Sequence, residues 1–393
     1  MSEGLAQPRR LLVRGVNWLG DAVMSLAALQ RLREALPHTR LSLLTHSKLA
    51  ELWQAQPDVD AILTFEKGES VFSVARRVRA GRFDTALILP NSARSALEMW
   101  LARVPHRIGT ARTGRNLLLT RAVLPRHEEF RMRKRSVAEV RRLIQSLPPG
   151  APAIPSSAHH LHHYLHLASA LGANPKAVAP RIVVRDTEVA AVKLRFGASS
   201  AAGEPPVLFG LNPGAEYGPA KRWPRERFVA AAVELQQRIG CHWWIFGGPA
   251  DQAVAESIAA EITRSGAAPV RVLAGRTSLR ELCAALKACQ AVLTTDTGPM
   301  HLAAAVGTPV VVPFGSTSPE LTGPGLPGDT RHKLLKSAAA CAPCFLRECP
   351  VDFRCMNGIS VASVVEAVLA VWQRRPEDGT AASPASVSAR RSP

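Results

Sequence analysis

Apolar residues along the chain gather in short uninterrupted blocks, and between the blocks they recur about every three or four positions. The blocks read as buried strands, the spaced segments as amphipathic helices. In the first half the strands are expected at Leu11–Val13, Leu41–Leu44, Ala61–Leu63 and Asp84–Leu89. Helices over 22–36, 49–54 and 71–80 separate them, the first stopped by Pro37. From residue 207 the alternation restarts. Strands are expected at Val207–Leu211, His242–Phe246, Val270–Leu273, Ala291–Leu293 and Val310–Val312, with helices over 228–239, 252–265, 279–288, 299–306 and 361–373. Strands alternating with helices at this spacing predict an α/β protein with doubly wound parallel sheets. No internal sequence repeat is visible.

The Ser/Ala/Gly/Pro-rich end of 185–206 reads as a linker. It divides the chain into a domain over 9–184 and a domain over 207–373, followed by a low-complexity tail, 374–393, read as disordered. Residues 103–142 are basic and less regular, and the chain after Pro319 reads as loop as far as the last helix. The histidines at 159, 160, 162, 163 and 166 precede a helix ending near Gly172; with no second ligand set, they read as a polar helix start rather than a metal site.

A chain of 393 residues has room for two sizeable cores. Its 49 Lys and Arg against 31 Asp and Glu leave a net charge of +18, which suits an anionic partner. At 5% aromatic residues, with no base-stacking motif, a nucleic-acid partner is not expected. No apolar run is long enough to span a bilayer. The apolar start is interrupted by Arg14, Asn17 and Asp21, so the protein is read as cytoplasmic.

The chemistry gathers in loops that follow strands. Thr294-Thr295-Asp296-Thr297-Gly298 breaks the strand at 291 and opens a helix with Pro299 in its first turn. Such a loop binds anions, because free N–H groups and the positive end of the helix dipole face the ligand. His301 lies one turn in. Upstream, Asn212 to Trp223 carries two glycines beside Lys221-Arg222, and is neither a Walker loop nor a dinucleotide fingerprint. Phe246-Gly247-Gly248 and Gly275-Arg276-Thr277-Ser278 end two more strands on the same carboxyl edge, where open sheets bind ligands. In the first domain Asp21 closes the loop after the first strand. It reads either as a first-turn acid favoured by the helix dipole or as a general base facing the nucleotide loops.

The stretches VRGVNWLGDAVMSLAALQRLRE, NPGAEYGPAKRWPRERF and TTDTGPMHLAAAVGTPVVVPFGSTSPE together resemble the heptosyltransferases of glycosyltransferase family 9, in matching order from about Leu11 to Gln373. The resemblance implies a GT-B fold: two Rossmann-like domains facing across a cleft, the first binding the acceptor and the second ADP-heptose. It implies inverting transfer of L-glycero-D-manno-heptose to the inner core of lipopolysaccharide, with no cofactor required. It assigns Asp21 as the base and Lys221 to the diphosphate. Glu216, Tyr217, Gly218, Ala220, Thr277, Asp296, Thr297, Gly298 and His301 become donor contacts, with Asp251 only an approximate counterpart of the family's nucleoside-binding acid. The basic segment, through Arg112, Arg115, Arg133 and Lys134, would then meet an anionic glycolipid on the cytoplasmic face of the inner membrane. Rival readings are a sister enzyme with another acceptor or sugar, and a catalytically silent nucleotide-binding module.

Two motifs stand apart. Asp58-Val59-Asp60 imitates a metal-binding DxD but lies away from the donor loops and reads as a turn. Cys341, Cys344, Cys349 and Cys355 form C-x2-C-x4-C-x5-C, compact enough for a structural zinc or iron–sulfur centre, or else four reduced thiols packing a loop.

Overall fold

The computed structural model describes residues 7–126, 130, 132–145, 154–198, 206–265 and 269–374. Two six-stranded sheets carry the architecture, and every strand pairing in them is parallel. The first holds β1 (Arg10–Arg14), β2 (Arg40–His46), β3 (Ala61–Phe65), β4 (Thr85–Ile88), β5 (His106–Thr110) and β6 (Arg121–Val123), in the order β3-β2-β1-β4-β5-β6. The second holds β7 (Leu208–Asn212), β8 (His242–Ile245), β9 (Val270–Val272), β10 (Ala291–Thr294), β11 (Val310–Phe314) and β12 (Lys333–Lys336), in the order β12-β11-β10-β7-β8-β9. Read from β9, that is the same order as the first. Both sheets therefore reverse direction between their first and fourth strands, the switch point where a ligand crevice opens. The two-sheet GT-B architecture expected from the sequence is the one observed.

Central strands read as continuous apolar runs because helices cover both faces. All five residues of β7 and all five of β11 are buried. The helix Leu19–Ala35 is apolar nearly all round, with Ala22 to Leu29 buried, because it lies between the first sheet and the helix Leu161–Ser169. One apolar cluster runs from Leu11, Leu26 and Leu29 in the first half to Leu286, Met300 and Leu302 in the second.

Most expected elements appear within a residue or three of their places, and 71–80, 252–265, 279–288 and 361–373 coincide with the observed helices. The basic stretch is more regular than its composition suggests. It contains β5, β6 and the helix Val137–Gln145, and the helix Ala93–Leu101 before it was likewise not anticipated. β6 is an edge strand (RAV) too short and too polar to stand out as an apolar block. β12, KLLK, is likewise an edge strand, inside the segment read as loop.

The span 185–206 does not begin as a linker. Asp186–Arg195 is a helix, fixed by the Arg280 guanidinium on Glu188 at 2.6 Å. Its apolar periodicity is weak, since only Val192 is buried, and this hid it. Residues 1–6, Arg131, the rest of that span at 199–205 and the tail at 375–393 lie outside the described residues. Among the described residues no helix is long and apolar enough to cross a membrane.

Candidate active site

β1 ends at Arg14, and the chain turns through Gly15–Trp18 into the helix Leu19–Ala35. Trp18 caps that helix without a side-chain hydrogen bond, so the acid in its first turn, Asp21, is the group that meets the helix dipole. Opposite, β10 ends at Thr294 and the helix Gly298–Ala305 begins after Asp296 and Thr297. The two helix starts meet head to head. A Cβ on Gly20 would lie 2.8 Å from the His301 ring, and one on Gly298 would lie 2.7 Å from the Leu19 side chain. Both positions are glycine because the halves approach this closely.

Between these starts lies a cavity of about 520 Å³. Asp21 and His160 line it from the first half, Lys221, Asp296, Thr297 and His301 from the second. Glu216, Tyr217 and Gly298 also line it. Asp21 borders a second cavity of about 350 Å³ on its other side, walled by Asn91, Ser92, Arg126 and Tyr164 from the first half. The carboxylate therefore stands at a junction, with the second-half loops on one side and a space belonging to the first half on the other.

Burial pushes the Asp21 carboxyl above the usual carboxylate range; the positive side of His160, a hydrogen bond from Tyr164 and the charge of Lys221 pull the other way. Tyr164 donates to Asp21 Oδ1 at 3.0 Å. Lys221 Nζ lies 2.7 Å from Asp296 Oδ2, and the Thr317 hydroxyl donates to the same oxygen at 2.6 Å. That pairing holds the ammonium at the rim of the helix Gly298–Ala305. His301 is buried, and burial pushes its pKa down to about 4, so it is a neutral imidazole near neutral pH. The Thr297 side chain makes no capping bond, which leaves its hydroxyl available to a ligand at the helix start.

Other expected contacts fall elsewhere. Ala220 is buried, donates its N–H to the Arg347 carbonyl at 2.9 Å and borders the cysteine loop instead of the cleft cavity. Gly218 has φ +152°, and a Cβ there would lie 2.5 Å from the same carbonyl. Both residues are supports for the loop that brings Arg347 to the cavity. Thr277 lies beyond β9, an edge strand, and does not line the cavity. Asp251 accepts the Gly248 N–H at 3.0 Å and packs beneath Gly214, also outside the cavity.

Of the four basic residues expected to meet an acceptor, Lys134 lines the cavity. Arg112 and Arg133 are exposed, Arg133 beside Glu139 at 2.8 Å. Arg115 is a correction: it is buried, donates to the carbonyls of Thr110 and Pro90, and braces the first sheet's loops.

The sequence reading missed Tyr164, Thr317, Phe345 and Arg347. Thr317 follows β11 on the same carboxyl edge, so the strand-end rule would have found it. Phe345 and Arg347 were hidden by the cysteines around them. Arg347 lies over the Tyr217 ring at 5.2 Å and Lys221 over the same ring at 5.0 Å, while the Tyr217 hydroxyl donates to the Phe345 carbonyl at 2.8 Å. The cysteine loop is thus one wall of the cleft.

Cys341, Cys344, Cys349 and Cys355 line one small cavity as free thiols, and burial pushes the Cys355 thiol up to about 11. Among the described residues no group of three or more His, Cys, Asp or Glu side chains is placed to hold a metal ion. Asp58-Val59-Asp60 is a turn region leading into β3, where Asp60 pairs with Arg33 at 2.7 Å.

Residues 71–353 match the model of glycosyltransferase family 9 (heptosyltransferase). The chain is 31% identical to lipopolysaccharide heptosyltransferase 2 of Salmonella typhimurium over 80% of its own length and 85% of that protein's. It is 29% identical to lipooligosaccharide heptosyltransferase 2 of Haemophilus ducreyi, covering 80% of this chain and 86% of that one. The solved structure of the Escherichia coli ADP-heptose lps heptosyltransferase II superposes with a TM-score of 0.70 at 25% identity, covering 93% of this chain and 99% of that one.

Proposed function

The chain belongs to glycosyltransferase family 9, and we propose that it is a heptosyltransferase 2, moving L-glycero-D-manno-heptose from ADP-heptose to the inner core of lipopolysaccharide. The observation that carries the reading is the meeting of Asp21 with Lys221, Asp296, Thr297 and His301 around one cavity between the two halves. In this reading the donor lies on the second half and the acceptor enters from the first, past Lys134, with Arg112 and Arg133 on the exposed basic face.

The step is a single displacement. Asp21 takes the proton of the acceptor hydroxyl, whose oxygen bonds to the anomeric carbon from the face opposite ADP. The bond from that carbon to the β-phosphate oxygen breaks, and its electrons leave with ADP. Lys221 and the start of the helix Gly298–Ala305 meet the charge that grows on the leaving diphosphate, a contact worth more in the transition state than in the ground state. Arg347, which lies over the same Tyr217 ring, supplies a second cation. Neutral His301 acts as a hydrogen-bond partner, not as a charge. Because these groups meet the diphosphate, transfer should continue in EDTA. The basic surface fits a protein working against the anionic cytoplasmic face of the inner membrane.

Purified protein, ADP-heptose and lipopolysaccharides truncated at defined core lengths test the reading. The expected result is one heptose added to an acceptor that already carries one, with ADP released. Turnover only on a core lacking heptose would make it a sister enzyme, and no turnover with retained ADP binding would make it a silent module.

A further inference from the structure

We infer that Tyr164 is a positioning residue for Asp21: by donating to Oδ1 it leaves Oδ2 as the oxygen that takes the acceptor's proton. The inference rests on the reading of Asp21 as the base. Tyr164 lies on the helix Leu161–Ser169, which packs against the helix bearing Asp21, and its hydroxyl reaches Oδ1 across 143 residues of sequence at 3.0 Å. A phenol has one proton to give, and here the carboxylate receives it. The bond engages Oδ1, while His160 and Lys221 act on the carboxylate through their charge.

Tyr164 can serve only as a donor. It is buried, and burial with the adjacent carboxylate raises its pKa well above the usual phenol value, so it stays protonated. The groups facing Asp21 are Tyr164 and His160 from the histidine-rich segment and Lys221 from across the cleft, with the His301 ring against Gly20. Burial favours the protonated acid, which cannot act as a base. Tyr164 opposes it, because a hydrogen bond to the ionised form favours that form. The same side chain walls the first-half cavity beside Asn17, Asn91 and Ser92, so the carboxylate is fixed where an acceptor hydroxyl would approach.

The test is the pH dependence of kcat and of donor KM for the natural protein, Tyr164→Phe and Asp21→Asn. Tyr164→Phe keeps the ring and removes only the donor. We expect its acid limb to move to higher pH by about one unit, with kcat down about tenfold on that limb, the alkaline plateau nearly recovered and donor KM unchanged. Fluorotyrosine incorporated at position 164 alone is a stronger donor of nearly the same shape and should move the limb the other way. Equal loss at every pH with a lowered Tm, or a limb that moves in neither protein, overturns the inference and leaves Tyr164 as packing. An inactive Asp21→Asn beside an unmoved Tyr164→Phe limb sinks this inference alone. A fully active Asp21→Asn sinks the base reading and this inference with it.

Discussion

As the proposed base, Asp21 has to carry charge where burial disfavours it, and that conflict sets its expected pH behaviour. A base works only when deprotonated, and burial raises the pH at which Asp21 loses its proton. Transfer should therefore fall as pH drops through a value above the ordinary carboxylate range, and a pH–rate profile reads this directly. Asp21→Asn should lower kcat by about 10²–10⁴ while leaving donor affinity within a few fold; an unchanged kcat at the optimum would return Asp21 to a helix-start acid. Lys221 carries a second duty, since it is the partner of buried Asp296. Lys221→Ala should raise donor KM, slow transfer and lower Tm together, because it strands a carboxylate whose remaining donor is Thr317. Calorimetry showing natural ADP affinity would refute its place at the diphosphate. Residues such as Asp21, Lys221, Asp296 and His301 were legible because each sits where a strand runs into a helix, and that position is written locally. Tyr164 and Arg347 were not, because they arrive by packing: one on a helix crossing the base's own, the other on a loop tied down by Ala220 and Tyr217.

At the scale of elements, legibility followed burial. β1, β7, β10 and β11 are interior strands built round an apolar run, and each was visible as a block. β6 and β12 lie at sheet edges with charged residues, and Asp186–Arg195 buries only Val192, so neither period is expressed. That helix is held by polar contacts instead. Arg280 donates twice to Glu188 and once to the Val183 carbonyl, and the hydrogen bond from Arg280 chiefly lowers the Glu188 pKa to about 2. A carboxyl whose folded pKa is depressed contributes stability above its unfolded value, near 4.5, and loses it as pH falls through about 2. Glu188→Gln should therefore lower stability by about 1–2 kcal/mol at neutral pH, discounted for its partial exposure. The gap from the natural protein should close at about pH 2. Denaturant melts at both pH values check this, and a gap that stays constant would mean the pair's charge contributes nothing.

On the scale of the whole molecule, one strand order is used twice, and the loops after β1, β7 and β10 line one cavity. Neither half holds the whole cavity: Asp21, the proposed base, comes from one and the loops carrying Lys221 and Asp296 from the other. On this reading transfer depends on how closely the halves approach, and the two helix starts are part of the contact that sets this distance. Gly20 lies against His301, Gly298 against Leu19, and the Glu51 carboxylate accepts the Arg280 N–H at 3.0 Å across the same divide. Gly20 lies in a helix, so alanine there costs no backbone strain, but its Cβ would meet the His301 ring at 2.8 Å. The ring is buried and cannot swing clear, so the halves should separate slightly. Displacing reacting groups by about an ångström costs up to about 100-fold in rate. Gly20→Ala should thus lose about 10–100-fold in kcat, with Tm lowered modestly by the displaced contact and ADP affinity falling only as far as the His301 contact is disturbed. Scattering should show a slightly larger radius of gyration for the ADP-bound variant. A natural kcat in a folded Gly20→Ala protein would mean that the approach of the two helix starts does not limit transfer, and that the base reaches its acceptor in a more open arrangement than this one.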